Sequence, residues 1–143
     1  MYQVKELADL AGVSARTLRY YDSIGLLKPA CVSEAGYRHY GEREVDLLQQ
    51  ILFYRERGMD LKEIRDILYT ENFDILGALR EHLRELEAQK AHTEALIGLV
   101  RRSITAMKGE EAMTDAEKFQ AFKEHVVERQ EKMYGAEARE KYG

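Results

Sequence analysis

The sequence predicts a mainly α protein: a winged helix-turn-helix domain followed by a long antiparallel coiled-coil dimerisation helix. Three observations predict it. Two short amphipathic patterns meet at Gly12-Val13-Ser14, the spacing of a helix, a tight turn and a second helix. A Gly-containing turn, Ser33-Glu34-Ala35-Gly36, divides two short extended runs. Leucine, isoleucine, valine and methionine then recur in steps of three and four from Leu76 to Met107.

Composition sets the outer bounds. A chain of 143 residues holds one compact domain plus an extended element. Hydrophobic residues make up 45% of it, with no apolar run of membrane-spanning length. The N-terminus, MYQVKELADLAG, reads as helical from the start and lacks a charged leader before an apolar stretch, so a cytoplasmic protein is expected. A single cysteine, Cys31, permits no internal disulfide and cannot build a metal cage alone.

The first helix carries Val4, Leu7, Ala8 and Ala11 on one face, and Gly12 closes it. Ser14 caps the second helix through its hydroxyl. Leu18 and Tyr21 face inward, while Arg16, Thr17, Arg19 and Tyr20 fall around the other side. Two guanidinium groups, a hydroxyl and a phenol with no carboxylate suit phosphate oxygens and base edges in a major groove. Gly25 ends this helix as a C′ residue. A tight helical corner of no functional meaning is the plain alternative for the pair.

The hairpin comes next. Pro29 fits an edge, Gly36 accepts a positive φ, and Tyr37 to Tyr40 form the return strand. Alternation sets Tyr37 and His39 on one face and Arg38 and Tyr40 on the other. A cation flanked by phenols suits a wing that grips a phosphate backbone; a surface hairpin with ordinary amphipathic aromatics is the other reading.

A third helix is expected from about Glu42 to Arg57, burying Val45, Leu48, Ile51 and Leu52 with Phe53 or Tyr54 at the margin. Gly58 stops it. Asp60 with Glu63 opens a fourth, whose core side is Leu61, Ile64, Ile67 and Leu68. Arg55 and Lys62 are candidate phosphate contacts. The fifth segment, Phe73 to Met107, carries Leu76, Leu79, Leu83, Leu86, Ile97, Val100, Ile104 and Met107 as a heptad seam, with Lys90 and Thr93 at its polar centre. At ~1.5 Å per residue it reaches roughly 50 Å, too long to bury its stripe against so small a domain. A second copy paired antiparallel is the economical solution; a helix folded back on its own domain is the alternative. Thr114 with Glu117 caps a last helix bearing Phe119, Phe122, Val126 and Met133. Three segments follow: a DNA-binding domain at 1–72, a dimerisation helix at 73–108 and a helical tail at 109–143.

The net charge of −4 is unevenly spread. Ser14 to Arg43 holds five bases and three acids, a balance of +2, whereas Gly109 to Gly143 holds nine acids and six bases, or −3. Phosphate contacts local to the first region therefore remain feasible. His39, His82, His92 and His125 are scattered without catalytic or ligand spacing, so no enzyme and no cofactor is expected, and His82 and His92 read as exposed or seam-flanking. A coiled-coil interaction or scaffold module without specific DNA binding is the competing function.

The set VSARTLRYYDSIGLLKP, GYRHY and DLKEI, with the long helix at its spacing, resembles the MerR family of transcription regulators, over Met1 to about Met107. LQQILFYRERGMDLKEIRDIL and ENFD are similar to the multidrug- and thiopeptide-responsive activators of the Mta and TipAL type. The tail resembles the opening of a thiopeptide-binding TipAS domain. The resemblance implies a homodimer on a pseudo-palindromic operator between promoter elements, bending and untwisting double-stranded promoter DNA so that RNA polymerase engages both. It places Arg16, Thr17, Arg19 and Tyr20 in the recognition helix, Tyr37, Arg38 and Tyr40 in the wing and Arg55 on a phosphate. It implies a hydrophobic drug or thiopeptide ligand for a full-length form; one amphipathic helix cannot enclose a drug-sized ligand by itself, so operator binding and activation without a small molecule are expected here. The metal- and redox-sensing members use cysteines near the end of the dimerisation helix; Arg101 to Met113 has none, so no metal is expected.

Overall fold

A computed structural model of the protein describes residues 1–123. The expected tail positions Val126 and Met133, and His125, lie outside the described residues. Element order is β1 (Tyr2–Gln3), α1 (Val4–Ala11), α2 (Ala15–Ser23), β2 (Cys31–Val32), β3 (Arg38–Tyr40), α3 (Glu42–Glu56), α4 (Leu61–Leu68) and α5 (Ile75–Met107). Residues 115–123 are also helical. Packing divides the chain into two units, Met1–Leu83 and Arg84 onward.

In the first unit the element boundaries follow local chemistry. Gly12 takes φ +73° to close α1. Ser14 Oγ then accepts the Thr17 N–H at 3.0 Å to open α2. Gly25, also at φ +73°, turns the chain out of α2, and the Leu26 N–H returns to the Tyr21 carbonyl at 2.8 Å. Asp60 Oδ1 accepts the Glu63 N–H at 2.8 Å at the start of α4. The core is built from Leu7, Leu18, Leu26, Leu27, Leu48, Ile51 and Ile64, all essentially without solvent contact.

The sheet corrects one expectation. The N-terminus does not begin as helix: β1 pairs antiparallel with β3, Tyr2 opposite Tyr40 and Gln3 opposite His39. The order is β1-β3-β2, so the wing hairpin is braced from the N-terminal side. β2 pairs with β3 through Cys31 opposite His39 and Val32 opposite Arg38. The connecting turn closes by Gly36 N–H to Ser33 O at 2.9 Å, with Gly36 at φ +87°.

α3 also differs in detail. Tyr54 is core, not margin, and Gln50 is fully buried with it. Gln50 accepts from His82 Nε2 at 3.0 Å through its Oε1, so His82 is buried and not exposed. The imidazole stacks on Phe53 at 5.0 Å between ring centroids and meets the Tyr54 ring edge-on at 4.4 Å. This cluster fixes the first turns of α5 against α3 within the first unit.

In α5 most of the expected seam positions are exposed. Leu76, Leu83, Leu86, Ile97, Val100, Ile104 and Met107 are all exposed in the single chain, and Leu79 is half-buried. In the second unit Leu99, outside that seam, is buried at 8% exposure. Thr114 Oγ1 accepts the Glu117 N–H at 3.2 Å and opens the helical segment that follows.

Candidate nucleic-acid interface

α2 is the centre of the candidate surface. Leu18 and Tyr21 anchor it in the core at 0% and 2% exposure. Arg16, Arg19 and Tyr20 point outward, Tyr20 at 47% exposure. Among the described residues the guanidinium groups of Arg16 and Arg19 carry no hydrogen bond or ion pair to this chain. Their donors remain available for phosphate oxygens or guanine edges. Thr17 is half-buried, and its hydroxyl shares a 2.8 Å hydrogen bond with Ser14 Oγ, which ties it to the helix cap.

Arg38, Arg55 and Arg65 of the first unit are already engaged. Arg38 Nε donates to Asp22 Oδ2 at 2.8 Å, and this bond raises the guanidinium pKa above its ordinary value. Asp22 also lies 3.8 Å from Lys28 Nζ. One carboxylate at the end of α2 thus fastens the wing to the helix. Arg65 Nη1 donates to the Ile24 carbonyl at 3.1 Å, and the Tyr69 hydroxyl donates to the Leu26 carbonyl at 2.9 Å. Both hold the segment between α2 and the wing from α4 and the turn that follows it. Arg55 Nη1 donates to the Tyr21 hydroxyl at 2.8 Å and stays exposed, so its remaining donors face solvent in a fixed direction.

Two wing assignments separate. Tyr37 is exposed beside the turn. Tyr40, expected at the surface with Arg38, is instead at 0% exposure in the core. The alternation along β3 holds, but the Tyr40 side of the strand turns toward α1 and α3. Its hydroxyl has no hydrogen-bond partner among the described residues, and burial raises its pKa above 10.0. Tyr40→Ala is therefore expected to cost about 3–5 kcal/mol of stability in chemical denaturation, as for other buried aromatics. Tyr40→Phe is expected to cost less than about 1 kcal/mol, because no hydrogen bond is lost.

Asp22, Arg65, Tyr69 and the Gln50–His82 pair are the residues that sequence reasoning missed. Asp22 carried a signal, as a carboxylate in an otherwise cationic segment. The buried pair carried none, since polar residues at helical spacing read as an outer face.

His82 gives a pH signature. Burial, and then the Arg57 charge, lower its pKa below 6.5, with Glu81 acting weakly the other way. Arg57 Nη1 lies 3.4 Å from His82 Nδ1, and the imidazole is held neutral. The unfolded chain therefore binds a proton more readily than the folded one. Stability is full above the unfolded value of 6.5 and is lost as pH falls through the lower folded value. Thermal melts between about pH 8 and about pH 5 are expected to show this loss, and His82→Phe is expected to flatten it.

Comparison with known proteins agrees with this arrangement. Residues 2–71 match the MerR HTH family regulatory protein profile. The HTH-type transcriptional activator mta of Bacillus subtilis is 37% identical over 142 residues, covering 99% of this chain and 55% of that protein. The HTH-type transcriptional activator TipA of Streptomyces coelicolor is 37% identical over 142 residues, covering 99% of this chain and 54% of that protein. The chain thus spans about half the length of these relatives. The crystal structure of the HTH-type transcriptional regulator SkgA from Caulobacter crescentus superposes with a TM-score of 0.81 at 41% identity, covering 91% of this chain and 94% of that one. With its helix pair, braced wing and long helix, this chain belongs to the MerR family of helix-turn-helix regulators, in the subgroup typified by Mta and TipA.

Proposed function

We propose that the chain is a sequence-specific DNA-binding transcriptional regulator, an activator that binds as a homodimer between promoter elements and bends and untwists the spacer. The observation that carries this reading is the outward set on α2, two uncommitted arginines and an exposed tyrosine, beside an exposed Tyr37. The committed arginines position that set, and Arg55 adds a directed cation at the end of α3. Arg16, Arg19 and Tyr20 read the groove, Thr17 supports the cap at its entrance, and Tyr37, Arg38 and Arg55 grip the backbone. RNA polymerase is engaged indirectly, through the reshaped promoter.

Dimerisation is assigned to the α5 face. A two-fold axis midway between Lys90 and Thr93 sets Leu83 against Val100, Leu79 against Ile104, Leu76 against Met107 and Leu86 against Ile97 of the partner subunit. Every apolar seam position thereby finds an apolar counterpart in an antiparallel pair. On this reading 1–72 is the DNA-binding domain, 73–108 the dimerisation helix and 109–143 a helical tail similar to the start of a thiopeptide-binding domain. A hydrophobic drug or thiopeptide is the ligand class for a form with a complete effector domain. Among the described residues no helix is long and apolar enough to cross a membrane, and a cytoplasmic site of action fits a promoter-binding protein. A coiled-coil scaffold would leave the α2 arginines without a role.

Footprinting on the DNA upstream of the protein's own coding sequence tests the assignment. A protected pseudo-palindrome between promoter elements is expected. Uniform weak protection along the duplex would overturn sequence-specific binding.

A further inference from the structure

The helical segment at 115–123 runs back along the end of α5, fixed there by an ion pair between Arg102 and Glu117 and a 3.8 Å contact from Ser103 Oγ to Met113 Sδ. Between the two helices lies an open apolar groove of about 480 Å³. Val100, Ile104 and Met107 form one wall, Phe122 the other, and Lys108 and Lys118 stand at the rim. Three seam residues of α5 are thus also groove residues, so the groove is continuous with the face assigned above to dimerisation.

We propose that the occupant of this groove is the first part of α5 from a second copy of the chain, so that the tail segment clamps the dimer at both ends. The inference rests on the antiparallel pairing proposed above. That pairing delivers Leu76, Leu79 and Leu83 of the partner subunit to Met107, Ile104 and Val100, which are the groove wall. Of the apolar side chains that arrive, Leu76 and Leu83 are exposed in the single chain and Leu79 is half-buried, and Phe122 is exposed at 49%. Charge agrees at the rim: the pairing brings the exposed Asp74 of the partner subunit level with Lys108. A heptad seam alone would bury one face of each helix. Phe122 adds a second contact to each incoming helix and carries the interface beyond α5. The two-fold axis duplicates the clamp, so a loss at Phe122 counts twice per dimer.

Analytical ultracentrifugation of the full chain tests the clamp. Phe122→Asp is expected to raise the dimer dissociation constant about tenfold or more, and deletion of Thr114 to Gly143 to do the same with α5 helicity kept. The deletion removes the clamp without relying on how a substituted tail folds. An unchanged dissociation constant in the deletion overturns the clamp while leaving the seam in place. A dimer that survives Leu83→Lys with Ile97→Lys overturns the seam, and the clamp with it. A small apolar anion, 8-anilinonaphthalene-1-sulfonate, is expected to light up in the monomeric double variant and not in the dimer. Phe122-dependent binding of that dye to the intact dimer would instead mark an open small-molecule site and overturn the proposal.

Discussion

Replacing Leu83 and Ile97 together by lysine is expected to convert the proposed homodimer to monomer at micromolar concentration. Both residues are exposed in the single chain, at 57% and 44%, among the apolar seam positions of α5 that flank its polar centre. The proposed antiparallel register pairs them with Val100 and Leu86, so its two-fold axis places four substituted positions in one interface. Each buried aliphatic side chain is worth about 1.5–3 kcal/mol, and four losses raise the dissociation constant on the order of a thousandfold or more. Four introduced ammonium groups then oppose reassembly. Mass in solution reads the result, and a dimer that persists would show that this face is not the interface. The monomer should keep its helical content, because neither side chain belongs to the core of its own chain.

The second large effect is expected at Arg19. Arg19→Ala removes a guanidinium with no hydrogen-bond or ion-pair partner among the described residues, so folding should be untouched while operator affinity falls by about 1–3 kcal/mol, or roughly 5–150-fold. Arg38→Ala should behave differently. It breaks the bond to Asp22 that ties the wing to α2, so it lowers stability as well as affinity. Circular dichroism beside operator titration separates the two cases. An unchanged affinity for Arg19→Ala at moderate salt would remove α2 from the groove.

The contrast between Arg19 and Arg38 shows what the sequence could carry. Caps and stops are local chemistry, so Gly12, Ser14, Gly25 and Asp60 marked their boundaries correctly. The long α5 helix was legible because apolar steps of three and four keep one register from Leu76 to Met107. Tyr40 was not, since alternation says which residues share a face and leaves tertiary packing to decide which face is buried. β1 escaped because two residues carry no period, and their pairing depends on a strand nearly forty residues away. Gln50 and His82 escaped for a related reason. Each looks like solvated helix surface until α5 packs on α3 and makes them partners. Of the candidate site, the free cations were legible by residue type and position. The bonds that commit Arg38, Arg55 and Arg65 were not, because their acceptors come from other elements.

On the proposed function, α2 and its braced wing let this chain read duplex DNA. A salt titration of binding to promoter-like duplex, beside a scrambled duplex of equal length, tests it most directly. Binding to the promoter duplex should be tighter than to the scrambled one, and log affinity should fall linearly with log salt as phosphate contacts release counterions. Absence of binding to either duplex at low salt, from a chain that is folded and dimeric, would contradict the claim and leave a coiled-coil scaffold.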